Sequence, residues 1–386
     1  MDSFFSEITA EIRRLYNAKD GETVMLHPPF FGGNEKKYLE ECIDSTYVSS
    51  VGPFVDRFEK EMALFTGAEA AVVCVNGTSA LHLALEMAGV RQGNLVITQA
   101  LTFVATCNAI SYTKSYPVFI DVDTDTLGLS PEALQRWLDE NANMVKGYCR
   151  HKKSGKRIAA VVAMHTFGNP ARIDRIKEIC DNWSLPLIED AAESVGSLYN
   201  GKHTGTFGLI GTLSFNGNKT ITTGGGGMLL FNDVKLAKKA KHLSTQAKKP
   251  HKWAFIHDSV AYNYRMPNIN AALGCAQLEQ IDGFIANKRE TASRYKEFFR
   301  DMGPKARFVT EIENAKSNYW LNAIILPNKI SRDRFLEFSN SHGVMTRPAW
   351  ELMSNLPMWK GSLNDGLENS RWLADRLVNI PSGIRH

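Results

Sequence analysis

The group in this sequence best suited to covalent chemistry is a lysine five positions after a serine, in the run Ser214-Phe-Asn-Gly-Asn-Lys-Thr-Ile-Thr-Thr-Gly-Gly-Gly-Gly227. Lys219 follows the apolar stretch Leu213–Phe215 and precedes four glycines, so its amine sits on a loop whose backbone can approach a ligand closely. An amine held there and partly desolvated is a nucleophile toward carbonyls, the chemistry of a Schiff base. An ordinary exposed lysine is the plainer alternative. Three other places offer complementary chemistry. Asn76-Gly-Thr-Ser79 can cradle a phosphate through the hydroxyls of Thr78 and Ser79 and helix-terminal amides, or act as a plain N-cap. Glu189-Asp190, with Glu193 beyond, leaves an apolar run; Asp190 can hold a cationic ring nitrogen, or these acids can complement a helix dipole. Phe103, in Thr102-Phe-Val-Ala-Thr106, can stack on a flat ring or pack in a core. Ser214 can add a hydroxyl to the same phosphate.

The periodicity predicts the elements that must position these groups. Residues 1–20 pattern as an amphipathic helix on Phe4, Phe5, Ile8, Ile12 and Leu15, and helices are expected at Lys36–Cys42 and Val55–Phe65. From Ala70 short apolar runs alternate with helical stretches. Strands are predicted at 70–75, 95–99, 116–122, 158–165 and 186–189, with helices at 80–88, 103–111, 131–140 and 173–182 between them. That alternation implies an α/β fold with a mostly parallel sheet covered on both faces. Ile210–Phe215 and Met228–Phe231 read as further strands at the sheet edge. Val234–Leu243 and Asn270–Tyr295 read as helices, the second long enough to link domains or span a dimer. Asn318–Leu326, Arg332–His342 and Ser370–Asn379 suggest a small α+β unit. The expected division is 1–245 for an N-terminal segment and a large cofactor-binding domain, and 246–386 for the linking helix and the small domain.

Bulk properties narrow the function classes. A net charge of +4 over 386 residues, without an arginine-rich stripe, gives no case for nucleic acid. The six cysteines are scattered with no CxxC pair, as expected of buried free thiols in a reducing compartment, and a metal site is not expected. No signal peptide or long apolar stretch is visible, so a cytoplasmic protein away from membranes is expected. The glycine run lacks the Gly-Lys-Ser/Thr of a Walker loop. A phosphate cradle, an acid for a ring nitrogen, a stacking ring and a loop lysine, each at a strand end, together make up a pyridoxal phosphate site.

The chain resembles the sugar aminotransferases of the DegT/DnrJ/EryC1/StrS family, pyridoxal phosphate enzymes of fold type I. The residues carrying the resemblance are Gly52-Pro53 with Glu59, Gly77 to Leu81, Thr102 to Thr106, Glu189 to Ala192, Ser214-Phe215 with Lys219 and Gly224 to Gly227, and Asn263-Tyr264-Arg265-Met266. The resemblance implies a seven-stranded mixed sheet and a catalytic Lys219 in Schiff-base linkage to the cofactor. It implies Asp190 on the pyridine nitrogen, Phe103 on the ring, and Thr78, Ser79 and Ser214 on the phosphate. Asn263 would reach the phosphate in the neighbouring subunit of a homodimer. Glu193 stands where relatives often carry glutamine and would lie near the ring oxygen, and the usual Gly-Glu-Gly-Gly is here Gly-Gly-Gly-Gly. His165 to Pro170, Ser197 to Gly208, Thr245 to Lys248 and Tyr262 to Gln280 are further similar to the LegC-like subgroup. That subgroup aminates C4 of UDP-4-keto-6-deoxy-N-acetylhexosamines, with L-glutamate as donor, for bacillosamine- and legionaminic-acid-type surface glycans. A dTDP- or GDP-linked keto sugar, or a non-catalytic pyridoxal phosphate-binding protein, is the alternative expectation. The family's sugar 3-dehydratases carry histidine where this chain has Lys219. The Tyr47–Pro53 loop, His165, Lys248, Arg265 and Arg347 are candidates for the nucleotide sugar.

Overall fold

The computed structural model describes residues 2–385. Seven strands form its larger sheet: β1 (Ala70–Cys74), β2 (Leu95–Gln99), β3 (Tyr116–Ile120), β4 (Ile158–Met164), β5 (Leu187–Asp190), β6 (Ile210–Ser214) and β7 (Gly227–Phe231). Their order is β1-β7-β6-β5-β4-β2-β3, and only β7 runs against the others. The alternation of strands and helices therefore yields the expected mixed, mostly parallel sheet. One expectation fails: β6 and β7 are interior, and the edges are β1 and β3. β7 inserts between β1 and β6 and pairs on both sides. A strand's own composition does not name its neighbours; long-range pairing does.

The helices are α1 (Asp2–Leu15), α2 (Glu35–Asp44), α3 (Pro53–Thr66), α4 (Gly77–Met87), α5 (Val104–Tyr112), α6 (Pro131–Asn141), α7 (Ile173–Asn182), α8 (Val234–Ser244), α9 (Asn268–Leu278), α10 (Ile281–Phe299), α11 (Lys329–Ser341) and α12 (Glu368–Ala374). Leu81 and Leu85 of α4, Ile110 of α5 and Ala240 of α8 pack on Val72, Val96, Val162 and Ile188 from one face. On the other face Leu134 and Leu138 of α6 and Ile176 of α7 pack on Ile97, Val118 and Val161. Covered twice, the strands are apolar nearly throughout rather than alternating.

A second, antiparallel sheet contains β8 (Arg307–Phe308), β9 (Asn322–Ile325), β10 (Arg347–Pro348) and β11 (Leu377–Ile380), in the order β8-β9-β11-β10. Ser370–Asn379, expected as part of a small α+β unit, divides between α12 and β11. The single helix expected at Asn270–Tyr295 is two, α9 and α10, jointed at Glu279-Gln280. There the Glu279 carboxylate accepts from the Tyr38 hydroxyl and Asn34 Nδ2, at 2.6 and 2.7 Å, and pairs with Arg57 at 2.7 Å. Gln280 Nε2 donates to Glu35 Oε1 at 2.7 Å. These ties to α2 and α3 bend the chain where no proline or glycine marks a break.

Packing crosses the boundary expected at 245 in both directions. Ala271 and Cys275 of α9 lie in one core with Phe58 and Met62 of α3 and with Val73 and Met228 of the large sheet. The apolar face of α1, namely Phe5, Ile8 and Ile12, is buried with Tyr295, Ile324, Phe335 and Val378 of the C-terminal part. All six cysteines are buried free thiols. Among the described residues no helix is long and apolar enough to cross a membrane.

Candidate active site

The parallel strands deliver their carboxyl ends to one edge of the large sheet, the place where such sheets bind ligands. β1 leads through Asn76 into α4, β2 leads through Phe103 into α5, β5 ends on Asp190, and β6 ends on Ser214. A cavity of about 350 Å³ opens there, and Thr78, Phe103, Asp190, Glu193, Ser214 and Lys219 all stand in its wall. A wider open groove of about 520 Å³ between α10 and the segment 303–310 gathers no comparable set of groups.

Asp190 is 2% exposed. Its Oδ2 accepts from the Thr106 hydroxyl at 2.7 Å and its Oδ1 from the Ala192 N–H at 3.3 Å. Burial raises the carboxyl above its ordinary pKa, and the Thr106 hydrogen bond opposes that rise. A buried carboxylate with two neutral donors is one cation short of a satisfied environment. Glu189, next to it in the strand, does a different job. Its carboxylate accepts the N–H groups of Gly205, Phe207 and Gly208, each at 2.7 Å, and pairs with His165 Nε2 at 3.1 Å. His165 Nδ1 accepts the Ala171 N–H at 3.1 Å, so Nε2 carries the ring proton and donates it to Glu189. His165 is fully buried in this structural pair and is not available to a sugar.

Lys219 Nζ lies 3.4 Å from Glu193 Oε1 and 3.9 Å from the centroid of the Trp320 ring. Glu193 Oε2 accepts the Phe167 N–H at 2.8 Å, with Phe167 in the left-handed region at φ 57°. Burial pushes the Glu193 carboxyl up to about 7, against the pull of Lys219 and the Phe167 amide. The folded protein therefore holds a proton on Glu193 between pH 4.5 and about 7 that the unfolded chain has released, and stability falls as pH rises through that window. Glu193→Gln carries no charge at any pH. The cofactor-free variant is expected to be more stable than the native chain at pH 8, by about 3 kcal/mol at 1.36 kcal/mol per unit, with the gap closing toward pH 5. Urea melts at the two pH values check this, and a gap that does not change with pH contradicts it.

At the other end of the cavity Asn76 caps α4, its Oδ1 accepting the Ser79 N–H at 2.8 Å. Ser79 serves this cap and is not part of the wall. The first-turn N–H groups of Gly77 and Thr78 point out of the helix end. Close approach makes the cradle: a Cβ on Gly77 would sit 3.0 Å from Ser214 Cβ, and one on Gly227 would sit 2.4 Å from the Asn76 carbonyl carbon. Asn263 is also absent from the wall. It is exposed, bridges to Thr245, and accepts from Arg265 Nε at 3.0 Å. Lys248, Arg265, Arg347 and the Tyr47–Pro53 loop do not reach the cavity either. The residues that do reach it fit pyridoxal phosphate: an anion cradle, a buried acid held by neutral donors, an aromatic ring and an amine, around one cavity.

Three wall or near-wall groups were not singled out by the sequence. Thr106 lies one turn into α5 from Phe103 and holds Asp190. Trp320 and Trp350 arrive from beyond residue 300; Trp350 meets Phe103 at 6.2 Å and Phe167 at 5.0 Å between ring centroids. Neither tryptophan has a local spacing that could have announced it.

The sequence profile of the DegT/DnrJ/EryC1/StrS aminotransferase family matches residues 30–385. EpsN of Bacillus subtilis (strain 168) is 38% identical over 364 residues, covering 93% of this chain and 91% of its own length. The GDP-perosamine synthase of Vibrio cholerae is 37% identical over 362 residues, 93% of this chain and 94% of its own. The crystal structure of the aminotransferase TlmJ from Streptoalloteichus hindustanus superposes with a TM-score of 0.84 at 26% identity, over 93% of each chain. With the lysine, the buried acid and the helix-end cradle at one sheet edge, this chain belongs to the DegT/DnrJ/EryC1/StrS aminotransferase family.

Proposed function

We propose that the protein transfers the amino group of L-glutamate to C4 of a nucleotide-linked 4-keto-6-deoxy sugar, with pyridoxal phosphate as cofactor. The observation that carries this reading is the Lys219 amine, 3.4 Å from the Glu193 carboxylate, in one cavity with the cation-deficient Asp190. When bound, the cofactor supplies an electron sink for the pair left behind as a proton departs. Asp190 would hold a proton on the ring nitrogen. Thr78, Ser214 and the end of α4 would take the phosphate, with Ser79 keeping that helix end in place through its cap. Phe103 would cover one face of the ring, and Glu193 would stand by the ring oxygen. Lys219 Nζ takes the Cα proton of glutamate and, in the second half of the cycle, delivers a proton at C4 of the sugar. Asn263 would act across a homodimer on the partner's cofactor phosphate, consistent with its distance from the cavity of its own chain.

For the sugar, the resemblance of His165 to Pro170, Ser197 to Gly208 and Tyr262 to Gln280 to the LegC-like subgroup supports UDP-2-acetamido-4-keto-2,6-dideoxyhexose and a place in surface-glycan synthesis. The relatives support a second reading, a GDP-linked keto sugar, since two that match over 93% of the chain at 36–37% identity are named GDP-perosamine synthase. UDP-, GDP- and dTDP-4-keto-6-deoxy sugars, each supplied with L-glutamate and read by product mass and NMR, separate the readings. A 4-amino product from one nucleotide series is expected. A cofactor absorbance that does not change on adding glutamate, with no product from any sugar, would leave a pyridoxal phosphate-binding protein without transaminase activity.

A further inference from the structure

Asn318 and Trp320, on the segment leading into β9, together touch three consecutive residues of the active-site loop. Trp320 Nε1 donates to the Asn218 carbonyl at 2.6 Å. The face of the same indole lies 3.9 Å, centroid to Nζ, from Lys219. Asn318 Nδ2 donates to the Thr220 hydroxyl at 3.2 Å, and to the carbonyls of Glu193 and Val195 at 3.0 and 2.9 Å. Asn318 Oδ1 accepts the Trp320 N–H at 2.8 Å. Gly168, at φ 93°, makes room for this arrangement: a Cβ there would fall 1.9 Å from Asn318 Oδ1.

Trp320 is also anchored from behind. The fully buried Lys288 donates to its carbonyl at 3.2 Å and to His27 Nε2 at 2.7 Å, and the His27 ring lies 6.3 Å from the indole between centroids. The indole therefore cannot drift, and its face is presented to the amine in a site with little water to screen the attraction between a ring quadrupole and an ammonium. The other titratable groups around the amine are Glu193 at 3.4 Å and Asp190 across the cavity, with Lys288 behind the indole beside His27, which burial holds well below the ordinary histidine pKa and so keeps neutral.

We propose that Asn318 and Trp320 form a positioning clamp for Lys219, in which the indole face seats the free ammonium and the two side chains fix the loop on either side of it. The inference rests on Lys219 being the reactive amine of the proposed transamination. That reaction asks the amine to alternate between covalent partner and proton carrier. A seat on an aromatic face keeps it in the cavity while it is unbonded, without the collapse onto Glu193 that a second carboxylate contact would bring.

The test compares aromatic with non-aromatic residues at 320 and reads the amine directly. The cofactor-free full chain is treated with trace acetic anhydride at pH 8, and acetylation of Lys219 is measured by peptide mass spectrometry against exposed Lys360 in the same molecule. Trp320→Phe is expected to stay within about twofold of native, and Trp320→Leu to react about three- to tenfold faster, as the ammonium loses its seat. Equal rates in all three proteins overturn the clamp. Should the leucine variant fail to fold, Trp320→Tyr against Trp320→Met makes the same comparison, with the same two outcomes. A separate titration with pyridoxal phosphate, read as the absorbance that Lys219→Ala abolishes, tests the underlying reading. Its failure would remove the cofactor and leave the labelling result standing.

Discussion

Lys219→Ala is expected to lose glutamate-dependent amination by at least about 10⁴-fold, the upper range for removal of a positioned acid–base group that here is also the covalent partner. Among the described residues no other lysine stands in the cavity wall to replace it. Lys219→Arg should fail almost as badly. It keeps the positive charge beside Glu193 and Trp320, but a guanidinium does not give up its proton and is no nucleophile. Both variants should fold, because the side chain stands in the cavity wall and touches the Glu193 carboxylate and the face of the Trp320 ring. Product formation by mass spectrometry, beside far-ultraviolet circular dichroism, checks both statements. Amination within tenfold of native by either variant would sink the assignment.

The second large effect is expected at Asp190. Asp190→Asn keeps the volume and the Thr106 partner but removes the charge that would hold a proton on the ring nitrogen. Losing one member of a buried ion pair costs roughly 3–5 kcal/mol, so cofactor retention should weaken by about 10²- to 10⁴-fold, with a fall in rate beside it. Equilibrium titration with pyridoxal phosphate, followed by single-turnover reaction with glutamate, separates the two losses. Unchanged affinity and rate would mean that another group serves the ring nitrogen. Asp190 and Lys219 are far apart in sequence and have different jobs. Lys219→Ala should therefore still bind cofactor reversibly through the Asp190 end, a behaviour the Asp190 variant cannot share.

Much of the large sheet was legible because each strand is a short apolar run between helical stretches, a local signal. The order of the strands was not, and that is why β6 and β7 were placed at an edge. The cavity wall was legible wherever a side chain sits at a strand end or within four residues past it: Thr78 after β1, Phe103 after β2, Asp190 at the end of β5, Ser214 at the end of β6. Connectivity alone brings these together at one edge. Trp320 and Trp350 reach the same cavity through the packing of the second sheet against the first, which no period in the sequence records. The α9–α10 joint was missed for a similar reason. Its cause is a set of side-chain bonds to α2 and α3, more than 200 residues earlier in the chain. Of the two readings of Ser79, the structure shows the cap, its N–H on Asn76 Oδ1, and leaves its side chain outside the cavity wall.

The burial of α1 against the last third of the chain has a consequence for the order of assembly during synthesis. The helix leaves the ribosome before the large sheet, yet the partners of Phe5, Ile8 and Ile12, Tyr295 to Val378, are made only after that sheet. At about 5–20 residues per second its apolar stripe is without its native surface for roughly 20 to 70 s. Through that interval the large sheet can form behind it, while the nascent chain offers a sticky amphipathic helix to chaperones or to other chains. An element translated before the large sheet reaches its final packing only after that sheet is complete.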